Sequence, residues 1–186
     1  IQFQVKEDLM KRVENLSSQL NSTLFITLLT AFKILLRKYT GQEEVIVGTP
    51  FANRNQVELE SQFGFYLNML ALKTDFEDNL TFQEALSRVR ETTLDAFDNS
   101  DVPFDQVVTQ TQHARDPSFH PIFQVVFIFQ NSIVRSLDGL QLEREPADTN
   151  QTSKFDMTLT IDHTPEAFNC SFEVASFYSR DLIERM

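Results

Sequence analysis

The chain has 186 residues, 41% hydrophobic and 23% charged, the composition of one ordinary globular domain with no internal boundary. Sixteen Lys and Arg against twenty-seven Asp and Glu leave a net charge of -11, which argues against nucleic acid or an anionic membrane surface as partner. The glycines, at 41, 48, 64 and 139, are too scattered for a dinucleotide fingerprint or a Walker loop, and the single Cys170 supports neither a disulfide framework nor a cysteine zinc site.

Residues 1–5 alternate as a strand does. Leu9, Val13, Leu16 and Leu20 recur at helical spacing and predict an amphipathic helix over 7–20. Asn21 or Ser22 is the expected cap of a second helix ending near Tyr39, with apolar residues around more than half its circumference and Gly41 as its left-handed stop. The apolar run 24–36 within it, interrupted by Thr27, Thr30 and Lys33, is too short and polar to span a bilayer. Val45-Ile46-Val47 predicts a buried strand over 44–49, and 50–60 reads as irregular. Residues 65–74 form the next expected strand. Thr81-Phe82-Gln83-Glu84 is a capping box opening a helix with Phe82, Leu86, Val89, Thr93 or Leu94, and Phe97 on one face. Pro103 suits the first turn of a short helix carrying Phe104, Val107 and Val108.

Further on, 122–129 is apolar on both faces apart from Gln124, as a central strand would be. Phe155, Met157, Leu159 and Ile161, then Phe168, Cys170, Phe172 and Val174, alternate with polar residues and predict a hairpin with one wet face, turning at 163–166. Ser179 caps a terminal helix that ends after about two turns, too short to be stable in isolation. With no initiator Met at the other end, the chain is expected to be a piece of a longer polypeptide. The elements together predict an α/β sandwich on a mixed sheet. Eighteen Phe and no Trp can fill a thick core, each ring burying about 150–250 Å².

No catalytic constellation can be assembled from these residues. His113, His120 and His163 lack a second histidine at ligand spacing and read as surface or loop residues. Cys170, inward on its strand, reads as a small core residue, and no G-x-S-x-G elbow exists. What stands out is polarity among apolar strands: Asn68 and Gln124, each of which either ties down a loop or lines a cavity, and Arg54 beyond a strand end. A buried amide left unpaired costs about 1–3 kcal/mol, so each needs partners.

Val47-Gly48-Thr49-Pro50-Phe51-Ala52-Asn53-Arg54 resembles the fourth core motif of condensation domains from nonribosomal peptide synthetases. Phe63-Gly64-Phe65-Tyr66-Leu67-Asn68-Met69-Leu70 resembles the fifth, Asn99-Ser100-Asp101-Val102-Pro103-Phe104-Asp105 the sixth, and Arg115-Asp116-Pro117-Ser118-Phe119-His120-Pro121-Ile122-Phe123-Gln124-Val125-Val126-Phe127 the seventh. Tyr66 replaces the common Phe, Met69 a Thr, and Phe119-His120 a more usual Arg-Asn or His-Thr. The resemblance implies a fold like that of chloramphenicol acetyltransferase, a two-layer α/β sandwich repeated in two lobes. It implies transfer of an aminoacyl or peptidyl group from one carrier-protein phosphopantetheine thioester to the amine on the next, in the cytoplasm.

The family's HHxxxDG motif belongs to the N-terminal lobe, and this sequence contains no His-His pair. The chain therefore resembles the C-terminal lobe alone, with no catalytic residue and no cofactor of its own, partnered by an N-terminal lobe and peptidyl carrier proteins. By the same resemblance Arg54 faces the lobe interface and pairs with the aspartate of that motif. Asn68 lines the channel, and Tyr66 and Gln124 are candidate channel residues. Residues 52–63 and 109–121 are candidate floor loop and latch. Epimerisation and heterocyclisation relatives share the fold, and a non-catalytic module binding carrier proteins or a partner lobe is the alternative from another class. A lobe without its partner is expected to expose apolar surface and to dimerise through it.

Overall fold

The computed structural model describes residues 1–54, 57–111, 120–131, 153–164 and 167–186, except the side chains of Glu60 and Asn131. The strands are β1 (Gln2–Val5), β2 (Glu44–Phe51), β3 (Asn68–Asp75), β4 (Val125–Asn131), β5 (Met157–His163) and β6 (Phe168–Val174). The helices are α1 (Glu7–Gln19), α2 (Leu24–Thr40), α3 (Val57–Glu60), α4 (Phe82–Asp98), α5 (Phe104–Gln110) and α6 (Arg180–Arg185).

The strands make one six-stranded sheet in the order β1-β6-β5-β4-β2-β3. β2 with β4 and β4 with β5 are parallel, and the other neighbours antiparallel, so the sheet is mixed as the sequence predicts. Successive strand side chains point to opposite faces. One face carries Val45, Val47, Leu70, Leu72, Phe127, Leu159 and Phe172 into a core shared with Leu29, Phe32, Leu36, Leu86 and Val89 of α2 and α4. Phenylalanines run through it as a chain of rings, Phe97 to Phe25, Phe25 to Phe127, Phe127 to Phe32 and Phe32 to Phe172, with centroids 5.6–6.2 Å apart.

The opposite face is built around a glycine. Gly48 points away from Val47, and the ring of Phe123 lies where its side chain would be: an added Cβ would stand 2.2 Å from the ring. Phe123 packs in turn against Phe104, His120 and Phe155 at 4.7–5.8 Å. This aromatic cluster clamps α5 and the approach to β4 onto the strand, which only a residue without a side chain permits.

Several boundaries differ from the sequence reading. Thr23, rather than Asn21 or Ser22, caps α2, accepting from the Ile26 amide at 3.2 Å, while Asn21 takes a left-handed turn at φ 49°. Gly41 ends α2 at φ 70°, as expected. β2 runs two residues further than predicted, with Pro50 and Phe51 paired to Met69 and Asn68, and Val57–Glu60 coils within the stretch read as irregular. β3 begins at Asn68 and not at 65, because its partner strand stops at Phe51. Pro103 precedes α5 as its cap. On α4 it is Thr93 that is buried, and Leu94 is exposed.

β4 begins at Val125 rather than 122, because the Phe123 amide bonds the Pro121 carbonyl at 2.9 Å around Ile122, at φ 72°. An i to i+2 turn with a β-branched residue at positive φ is rare and strained, and it breaks the strand there. His163 ends β5 instead of lying in the turn. The face of the β5–β6 hairpin expected to be wet is half-buried at Thr158, Thr160, Asn169 and Ser171, and Asp162 is 7% exposed; only Glu173 is open to water. Among the described residues no single helix is long and apolar enough to cross a membrane.

Candidate functional site

At the carboxyl end of β2 the chain leaves the sheet through Asn53, at φ 48°, and reaches Arg54. The Arg54 guanidinium folds back over the following loop: Nη1 donates to the Leu59 carbonyl and to the Gln62 carbonyl at 2.8 Å, and Nη2 to Gly64 at 3.5 Å. Its planar face covers the Tyr66 ring, with Cζ 4.5 Å from the centroid. The Tyr66 hydroxyl donates to Gln62 Oε1 at 3.1 Å. One arginine thus gathers the carbonyls of a loop that has no strand to pair with, as a rigid fork of donors can.

That loop turns its apolar residues outward. Phe63 and Phe65 are 106% and 89% exposed, and Val57, Leu67 and nearby Val102 are exposed as well.

Asn68 lies two residues after Tyr66, at the start of β3, and is fully engaged. Nδ2 donates to the carbonyls of Ser100 and Val102 at 2.9 and 2.8 Å, while Oδ1 accepts from the amides of Met69 and Phe104 at 3.0 and 3.1 Å. A primary amide has two donors and two acceptor sites; all four are used, three of them to pin the turn between α4 and α5 to β3.

Gln124 stands elsewhere. Gly48 pairs with Val126, so Gln124 lies beside Ile46, whereas Asn68 lies opposite Phe51. Five residues of strand, about 16 Å, separate the two levels. Gln124 Nε2 donates to the His120 carbonyl at 3.1 Å. With Ile122, Ile46, Thr40, Gln42 and Glu44 it lines a cleft of about 240 Å³ at the other end of the strands. The structure therefore brings Arg54, Tyr66 and Asn68 together and leaves Gln124 apart.

Two of the histidines are aromatic packing residues rather than surface ones. His120 is half-buried among Phe104, Phe123 and Phe155, with Nδ1 3.0 and 3.1 Å from the Pro121 and Phe123 carbonyls. His163 packs on Phe129 and Phe168 and meets Glu14 at 3.3 Å. His113 lies outside the described residues, as do most of 109–121 and two positions of 52–63. Among the described residues no group of His, Cys, Asp and Glu could hold a metal ion. Cys170 faces the core, where burial pushes its thiol up to about 11, too high for a thiolate at neutral pH.

One charged residue escaped the sequence reading of sites: Lys33, inside α2 and fully buried. Its signal was its place among Leu29, Phe32 and Leu36, on the stripe that must face the sheet.

The whole chain, residues 1–186, matches the family model described as Condensation domain. It is 42% identical over 190 residues to one of the linear gramicidin synthase proteins of Brevibacillus parabrevis, covering 100% of this chain and 4% of that protein. It is 39% identical over 180 residues to malpinin synthetase of Mortierella alpina, covering 96% of this chain and 2% of that one. Among solved structures, the X-domain from teicoplanin biosynthesis superposes with a TM-score of 0.87 at 18% identity, over 98% of this chain and 43% of its own. The condensation domain from Monacolin K polyketide synthase does so with a TM-score of 0.83 at 20% identity, over 100% of this chain and 44% of its own. The chain thus spans a few per cent of these synthetases and less than half of these solved chains.

Proposed function

The chain belongs to the condensation-domain family, and from that membership we propose that it is the C-terminal lobe of a domain making peptide bonds in nonribosomal peptide synthesis. In that reaction the amine on one carrier protein attacks the thioester carbonyl on another, forming the C–N bond and expelling the carrier thiol. The phosphopantetheine arms belong to the carriers, and the lobe binds no cofactor itself. The observation that carries the reading is a fold matched over its whole length to solved chains more than twice as long, in a sequence without a His-His pair. The histidine that handles the amine then comes from the other lobe, and this lobe supplies the surface against which that histidine is held. The synthetase works in the cytoplasm, and the exposed apolar loop lets an unpartnered lobe dimerise.

Arg54 has a place in this arrangement. Both Nη1 hydrogens are committed to its own loop; among the described residues the Nε–Nη2 edge has only the long contact to Gly64. That edge accepts a carboxylate side-on. An aspartate from the catalytic loop of the other lobe can dock there without dismantling the Arg54 loop. Asn68, with every valence spent, supports the channel by fixing its wall instead of touching substrate.

The test uses the intact condensation domain that carries this chain, with two loaded carrier proteins. Peptide-bond formation is expected, and Arg54→Ala is expected to slow it on the order of a hundredfold, the effect of a roughly 1 Å misplacement of reacting groups. Arg54→Lys, which loses the fork, rescues little. Unchanged rates in both variants contradict the role. A second reading remains because a chain of this fold, the X-domain from teicoplanin biosynthesis, was solved in complex with OxyB. An interaction module would bind its partner but give no product in the same assay.

A further inference from the structure

Lys33 is a lysine fully buried in the core, at 0% exposure. It rises from the middle of α2, flanked by Leu29, Phe32 and Leu36, and its Nζ donates to two atoms of β3: the Leu72 carbonyl at 2.7 Å and Thr74 Oγ1 at 2.7 Å. An ammonium carries three N–H donors, whereas an uncharged amine carries two. The site offers two acceptors and, among the described residues, no carboxylate paired with Lys33. A charged lysine there would leave one donor unpaired in the core; an uncharged one leaves none.

The charged groups on the elements packed around α2 are engaged elsewhere. On β3 and β2, Asp75 and Glu44 both meet Lys73, at 3.8 and 2.5 Å. On α4, Arg88 pairs with Glu77, Arg90 donates to the Leu20 carbonyl, and Glu91 and Asp95 are exposed. On α1, Glu14 meets His163, and on α2 itself Arg37 meets Asp78. Of these, Asp75 exerts a field on the amine and favours its charge, but burial outweighs it and holds Lys33 at about 7, against an ordinary 10.5.

We propose that Lys33 is an uncharged amine clamp between α2 and β3, which acidification towards neutrality loosens and alkaline solution tightens. The strand it holds is the one that begins at Asn68, so the clamp anchors the far end of the element carrying the loop of Arg54 and Tyr66. The sign follows from proton binding. Between about 7 and 10.5 the unfolded chain holds a proton on this amine that the folded chain does not, so stability climbs with pH. The contribution is complete above about 10.5 and is lost as pH falls to about 7.

The experiment compares denaturant unfolding of the intact domain and of its Lys33→Met variant from pH 6.5 to 9.5. Relative to the variant, the wild-type folding equilibrium is expected to gain up to about tenfold per pH unit between pH 7.5 and 9.5. In the folded wild type, with carbon-13-labelled lysine, one Cε resonance is expected to titrate near neutrality; this measurement stands even if the variant fails to fold. A pH dependence shared equally by Lys33→Met, or the absence of any lysine resonance titrating near neutrality, overturns the proposal.

Discussion

Asn68 shows how one side chain can be indispensable to a site without taking part in chemistry. Three of its four hydrogen bonds join β3 to the turn before α5, 32 to 36 residues downstream, and the fourth is to the amide of its neighbour Met69. Asn68→Ala is expected to cost about 2 kcal/mol in denaturant unfolding. Asn68→Asp is expected to cost more, because a carboxylate would face the Ser100 and Val102 carbonyls. An equal or smaller loss for the aspartate would contradict the assignment of its amide nitrogen. Gly48 is as tightly constrained by what lies above it. Gly48→Ala drives a methyl into the Phe123 ring and is expected to destabilise by about 1–3 kcal/mol. Phe123→Leu beside it should recover part of that loss, a coupling that a double-mutant cycle reads directly. The sequence showed Asn68 as a polar residue in an apolar stretch and left open whether it tied a loop or lined a cavity. Its partners could not be read, because no local pattern marks backbone groups 32 residues away.

At the scale of elements, legibility followed locality. The capping box at Thr81 and Glu84 is formed in both directions, at 3.3 and 2.8 Å, because it is a four-residue interaction that neighbours cannot easily override. Thr81→Ala is expected to destabilise α4 by about 1 kcal/mol, read as a shift in the denaturation midpoint with unchanged slope. Gly41 was equally clear for the same reason. The starts of β3 and β4 were misplaced because pairing partners decide them. Residues 65–67 are apolar and aromatic like a strand but extend past the end of β2 at Phe51, and Arg54 takes their loop instead. The strand pattern of 122–124 is broken by the turn at Ile122, whose strained backbone is held by the aromatic cluster on Gly48. Gln124 was grouped with the site residues from its place in a motif, and a register through Gly48 and Val126 puts it at the opposite end of the strands.

For the molecule as a whole, the mixed sheet and helical layer were readable in outline, since periodicities of 2 and 3.6 recur along the chain. Which apolar residues stay exposed was not, beyond the expectation that some would. Phe65 opens the stretch read as a strand and Phe63 closes the candidate floor loop, and only the fold reveals both rings as exposed. If these rings belong to a lobe interface, the chain alone should self-associate as concentration rises. Phe63→Ser combined with Phe65→Ser should weaken that association at least tenfold, given about 1.5–3 kcal/mol for each ring buried. Light scattering showing a strict monomer at all concentrations would count against the interface. The proposed role of this chain is to shape a condensation site without containing its chemistry. Its most direct test is peptide-bond formation between two loaded carrier proteins, measured with this chain alone and after addition of the separately expressed N-terminal lobe. Product is expected only in the mixture; product from the chain by itself would contradict the proposed role, because the reaction would then rest on residues that only build the structure.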